Sequence, residues 1–190
     1  MRIISGSARG RQIEAPKGRD TRPTLDRVKE ALFGMIQFDL PGARVLDLFS
    51  GSGNLGLEAL SMGAAFAVFN DAAAESNRVI RANVERLGFE GQALVLMRDY
   101  AACLDMLAGR GERFDFVFLD PPYDTGLDGA AVQGILDRGL LSGDGRIIVE
   151  HSAARPLDFP GKIGNSRKYG QTRITFLTRP DEESVEEPQI

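Results

Sequence analysis

The chain has 190 residues, 43% of them hydrophobic and 26% charged, with a formal net charge of −4; this balance is near the globular average, so one well-buried domain is expected. A single cysteine, Cys103, excludes an internal disulfide and a cysteine-based metal site, and no apolar run approaches the ~20 residues of a membrane-spanning helix. No secretion signal is read after Met1, so the protein is expected to be cytoplasmic and to have no membrane partner.

The net charge hides an uneven distribution. Residues 1–29 hold eight basic side chains (Arg2, Arg9, Arg11, Lys17, Arg19, Arg22, Arg27, Lys29) against three acids. The last ten residues, DEESVEEPQI, hold five acids and no base, and are read as a solvated tail without a site. A basic amino-terminal segment suits contact with a phosphate backbone, but it equally suits an ordinary solvated face. Charge alone does not separate the two.

In chain order, RIISGSARGRQIEAP reads as two short strands joined by a glycine-containing turn. The stretch TLDRVKEALFGMIQFDL follows, with Leu25, Val28, Leu32 and Ile36 at helical spacing, Thr21 or Thr24 as its cap and Pro41-Gly42 as its stop. From Ala43 onward, strand and helix signals alternate. The strands are ARVLDLF, FAVFN, ALVLM, FDFVFLD and GRIIVEHS; the helices lie between them, and the first two end at Gly63 and Gly88. The remainder, KIGNSRKYGQTRITFLTR, reads as a final antiparallel pair. Near-continuous apolar strands separated by helices predict an α/β fold, a mostly parallel seven-stranded sheet covered on both faces. The expected organisation is a basic hairpin and helix over 1–41, a core over 42–179 and the acidic tail over 180–190. In such sheets ligands bind beyond the carboxyl ends of the strands.

The first strand runs into Asp47-Leu48-Phe49-Ser50-Gly51-Ser52-Gly53-Asn54-Leu55-Gly56. Gly51, Gly53 and Gly56 allow a tight turn and a close ligand approach at a helix amino terminus, a pattern shared with dinucleotide enzymes and with glycine-rich turns that bind nothing. Acids at three strand ends, Asp47, Asp71 and Asp99, would repel a pyrophosphate, and no Lys or Arg lies in the turn sequence to offset them. They suit a ligand with hydroxyls, amines and a sulfonium, so S-adenosylmethionine fits better than NAD. Asp71 would accept from the ribose hydroxyls and Asp99 from the adenine amine; a capping or turn role competes for each acid taken singly.

The fourth strand ends in Asp120-Pro121-Pro122-Tyr123, which as bare structure is a rigid turn. Next to a cofactor turn it also matches a demanding reaction. An amine attached to a base is a poor nucleophile, because its lone pair is delocalised into the ring. The Asp120 carboxylate and the Pro121 carbonyl can each accept one N–H, aiming the lone pair at a methyl donor. Proline suits the carbonyl's role because it stiffens the loop and adds no competing donor, and Tyr123 would stack on the base. Asp120 would stabilise the charge developing on nitrogen and receive its proton; no metal is needed.

The segments DLFSGSG and DPPY resemble motifs I and IV of the class I amino-methyltransferases, with their Rossmann-like sheet. More closely, MRIISGSARGR, TRPTLDRVKEALFGMI, ARVLDLFSGSGNLGLEALSMGA, FDFVFLDPPY, IIVEHS and RKYGQTRITFL resemble the RsmD family of bacterial 16S rRNA (guanine-N2)-methyltransferases, as far as about residue 178. The resemblance implies methyl transfer from S-adenosylmethionine to the exocyclic N2 amine of a guanine, at position 966 of 16S rRNA. The substrate would be the small (30S) ribosomal subunit or an assembly intermediate, engaged by a monomer. The expected cofactor-binding residues are Asp47, Phe49, Ser50, Gly51, Ser52, Gly53, Asn54, Gly56, Asp71, Asp99 and Tyr100, joined by Arg22 and Thr24; the expected catalytic residues are Asp120, Pro121, Pro122 and Tyr123. Arg2, Arg9, Arg11, Arg22 and Arg27 are the expected RNA contacts. The family usually has Glu where this chain has Asp71, and its pattern does not include the acidic tail.

Three other readings compete. A DNA adenine-N6 methyltransferase would share the amine chemistry, but it usually carries a separate recognition domain. An NAD(P)-dependent oxidoreductase would leave Asp47 and DPPY unused. A non-catalytic RNA-binding factor would not need the acceptor motif. Of the remaining side chains, His151 is read as structural more readily than functional, Cys103 as core packing, and Arg167-Lys168-Tyr169-Gly170 as either an RNA contact or a hairpin turn.

Overall fold

The computed structural model describes residues 1–16, 23–121, 126–155 and 159–180. Helix α1 spans Pro23–Ile36; then come β1 (Arg44–Asp47), α2 (Asn54–Ser61), β2 (Phe66–Asn70), α3 (Ala74–Leu87), β3 (Ala93–Leu96), α4 (Tyr100–Gly109), β4 (Phe114–Leu119), α5 (Leu127–Asp137), β5 (Leu141–Ser152), β6 (Lys162–Tyr169) and β7 (Thr172–Thr178). The strands form one seven-stranded sheet in the order β3-β2-β1-β4-β5-β7-β6. Strands β1 to β5 run parallel, while β7 is antiparallel to both β5 and β6.

Alternation along the strands produces two cores. Val45, Ala67, Phe69, Phe116, Phe118 and Ile148 point to one face and pack with α1, α2, α3 and the amino-terminal residues Ile3, Ala8 and Ile13. Leu46, Val68, Val117, Leu119, Ile147 and Val149 point to the other and pack with α4 and α5, including the buried Cys103. Burial on both faces is why these strands are apolar throughout. The order reverses beside β1, with β2 on one side and β4 on the other, which makes the carboxyl ends of β1 and β4 the switch point at which sheets of this kind take their ligands. Among the described residues, no helix is long and apolar enough to cross a membrane.

Three local expectations need correction. Residues 1–16 form no pair of strands; they hold a single antiparallel bridge, Arg2 to Gln12, because most of their backbone bonds go to turns and to the helices beneath. The first helix ends at Ile36 and not at Pro41: Asp39 N–H donates to the Ile36 carbonyl (2.9 Å), and the closing turn buries Leu40. Thr24 lies within α1 and so is not its cap; Thr21 and the side chain of Leu25 fall outside the described residues.

Candidate active site

Asp47 closes β1, is 2% exposed, and accepts a hydrogen bond at Oδ2 from the Gly56 N–H (3.0 Å). Helix α2 begins after Gly53 (φ 80°) without a side-chain cap from its own first residues, and Asp47 supplies that acceptor from the strand. Gly51 also has positive φ, 58°. Gly56 answers a packing need instead: a Cβ there would lie 2.3 Å from Phe69 Cε1. Ser50 locks the turn, its hydroxyl donating to the Asp47 carbonyl (2.6 Å) and accepting from Asn70 N–H (3.0 Å).

The three strand-end acids have different environments. Burial pushes the Asp47 carboxyl up to about 7; the Gly56 hydrogen bond opposes this, and the charges of Asp120 and Asp71 add to it. Asp71 accepts from Gly51 N–H at Oδ2 (2.9 Å) and from Ala73 N–H at Oδ1 (2.9 Å), so it braces the turn and retains one lone pair on each oxygen. Asp99 caps α4, accepting from Ala101 N–H (2.9 Å). Beside it, Tyr100 meets Phe49 with ring centroids 5.8 Å apart, a half-buried aromatic pair spanning the ends of β1 and β3.

Asp120 follows β4, the neighbour of β1, in a register that sets Asp47 against Phe118. The two carboxylates are close enough for each charge to act on the other. Pro121 is buried, while Pro122, Tyr123 and Arg22 lie outside the described residues; Thr24 is described only through its place in α1.

Sequence reasoning missed the network behind the turn. Lys29 and Glu58 form an ion pair (2.9 Å) with side chains 3% and 0% exposed. Lys29 Nζ also donates to the Arg2 carbonyl (2.7 Å) and to Asn54 Oδ1 (2.8 Å). Glu58 in turn accepts from the N–H groups of Ile4 and Ser5. Thus a lysine does reach the glycine turn, with its charge already matched by Glu58. Buried Asn83 completes the arrangement: its Nδ2 donates to the Ser52 and Glu14 carbonyls (3.0 Å each). The helical positions of Lys29 and Glu58, buried rather than solvated, carried no signal of a long-range pair.

The basic segment is less free than its charge suggests. The Arg11 guanidinium donates to the Arg86 and Leu87 carbonyls at the end of α3, so part of its hydrogen-bonding capacity caps that helix. Arg2 lies 3.4 Å from Asp26, both more than 40% exposed. Arg9 and Arg27 are exposed and have no ion pair among the described residues. His151 is 2% exposed, its Nε2 2.8 Å from Thr175 Oγ1 and its Nδ1 3.1 Å from the Ser152 carbonyl, and burial lowers its pKa.

The family model described as "Conserved hypothetical protein 95" matches residues 1–178. The chain belongs to this family, the RsmD family. It is similar to YlbH of Bacillus subtilis, 39% identical, with 94% of this chain and 99% of that one covered. It is 37% identical to the Escherichia coli K12 protein named "Ribosomal RNA small subunit methyltransferase D", covering 79% of this chain and 74% of the relative. The solved structure of yhhF from Escherichia coli superposes with a TM-score of 0.83 at 32% identity, covering 96% of this chain and 99% of that one.

Proposed function

We propose that this protein transfers the methyl group of S-adenosylmethionine to the exocyclic N2 amine of a guanine in 16S rRNA, acting as a monomer on the small ribosomal subunit or its assembly intermediate. The reading is carried by one adjacency: Asp47 of the glycine turn and Asp120 of the acceptor motif end neighbouring strands and feel each other's charge. The name of the Escherichia coli relative supports an rRNA substrate, and the choice of guanine N2 rests on the family.

The residues fit the cofactor. A buried carboxylate held up to about 7 by burial and by two further acids is an electrostatic site short of a positive charge, and a cationic ligand relieves it. Gly51 and Gly53 take positive φ at the turn, Asp71 keeps a further lone pair on each oxygen beyond its two backbone bonds, and Phe49 with Tyr100 offers an aromatic wall. When bound, the cofactor supplies an electrophilic methyl on a sulfonium.

The remaining work falls to the protein. Asp120 and the Pro121 carbonyl accept the two N–H bonds of the amine and turn its lone pair towards the methyl donor. As nitrogen becomes positive, the Asp120 carboxylate stabilises it and takes the released proton. Tyr123 stacks on the base to fix its plane. The test is labelled-methyl transfer to small subunits from cells lacking the enzyme, followed by nucleoside analysis. Label in N2-methylguanosine is expected; label in another nucleoside, or none, contradicts the proposal.

A further inference from the structure

Strand β6 is the last of the sheet, and residues 159–180 contain Lys162, Arg167, Lys168, Arg173 and Arg179 but no Asp or Glu. The turn of the β6–β7 hairpin lies at the same end of the sheet as the acceptor motif, because Ser152, the last residue of β5, pairs with Thr172, and Thr172 pairs with Tyr169. Along the adjoining row, His151 pairs with Arg173, and Arg173 with Lys168. On the other side, Val149 of β5 pairs with Leu119, the residue before Asp120. Three strand spacings of ~4.8 Å place the Arg167 backbone about 14 Å from that of Asp120, with Lys168 one residue further along.

Lys168 and Arg173 are therefore like charges directly opposite on one face, an arrangement that costs stability in a sheet. Neither has an acid paired with it among the described residues. Arg173 Nη1 reaches only the Ser166 hydroxyl (3.3 Å), and its Nε is buried without a hydrogen-bond partner. By contrast, Arg155 close by is paired with Asp128 at 2.5 Å. Arg167 pairs with Ile174, so it lies on the opposite face of the same exposed edge. Cations concentrated at one end of an edge strand, with no acid in the described residues 159–180, repel one another, and a polyanion offsets that repulsion.

We infer that the β6–β7 hairpin is an RNA phosphate-binding surface, with Arg167, Lys168 and Arg173 taking phosphates of the strand that flanks the target base. This rests on the methyl-transfer reading: the base enters beside Asp120, and its strand continues across β5 and β7 to the sheet edge. The contacts are to backbone phosphate, so they set affinity and register without reading sequence.

The test compares the unaltered protein with Arg167→Gln/Lys168→Gln, both exposed positions, using a short single-stranded RNA containing one guanine. Removing two phosphate contacts lowers the slope of log affinity against log salt by about 1.4, with roughly a tenfold or greater loss of affinity at ~0.1 M salt. S-adenosylhomocysteine affinity, read by calorimetry, stays unchanged. If both proteins bind S-adenosylhomocysteine and share the same RNA affinity and salt slope, the hairpin assignment alone is overturned. If the unaltered protein binds no S-adenosylhomocysteine, the methyl-transfer reading fails and the hairpin assignment with it.

Discussion

Lys29 of α1 and Glu58 of α2 form a buried ion pair, 2.9 Å apart, that ties the backbone of residues 2–5 to the first turn of the helix behind the glycine loop. A buried pair contributes little net stability over apolar side chains, but removing one partner strands the other charge. Lys29→Met is expected to cost about 3–5 kcal/mol in urea unfolding. The double replacement Lys29→Met/Glu58→Gln should recover most of that loss; a double variant as unstable as the single one would show that the charge pair is not the cause.

Gly56 faces the Phe69 ring too closely for any side chain. Gly56→Ala should destabilise the protein by about 1–3 kcal/mol through overpacking, and Phe69→Leu in the same background should restore part of it. Thermal unfolding of the two variants beside the unaltered protein checks this. Equal melting temperatures for Gly56→Ala and the unaltered protein would contradict it.

These two sites show what the sequence makes readable. The parallel direction of the first five strands follows from apolar runs alternating with helices, whereas their order is set by contacts the sequence does not display, and glycines after Asp47 mark the turn because only a few residue types accept its backbone angles. DPPY is readable because its chemistry is local. In the amino-terminal segment the glycine-containing turn points to a hairpin, while the backbone partners Glu58, Ser61 and Asn83 lie more than fifty residues away. For the same reason the charge of Arg11 suggested RNA, although its guanidinium meets carbonyls at the end of α3.

The raised Asp47 pKa fixes the sign of a pH effect. A carboxyl whose folded value is about 7, against 3.8, binds a proton more readily when folded, so its contribution to stability is full below about 4 and is lost as pH rises through 7. Asp47→Asn should remove that loss, stabilising the cofactor-free protein at pH 8 by on the order of a few kcal/mol. Cofactor affinity should move the other way: in the unaltered protein S-adenosylmethionine binds more weakly as pH falls below 7, and in Asp47→Asn it binds weakly at every pH. Calorimetry across pH 6 to 8 tests this, and a flat profile in the unaltered protein would contradict it.

Arg9 and Arg11 are expected to separate by readout. Arg11→Ala should lower thermal stability by about 1 kcal/mol, the usual scale of a lost helix-terminal contact. Arg9→Ala should leave stability unchanged and weaken RNA binding with a shallower salt dependence. The reverse pattern would place the phosphate contact at Arg11.

In the proposed reaction Asp120 acts on the acceptor amine and not on the cofactor. The direct measurement is Asp120→Ala, assayed in parallel for methyl transfer to small subunits and for S-adenosylhomocysteine affinity. Transfer is predicted to fall by at least roughly 10²-fold, while S-adenosylhomocysteine affinity holds. Loss of both in equal measure, or retention of transfer, would contradict the assignment.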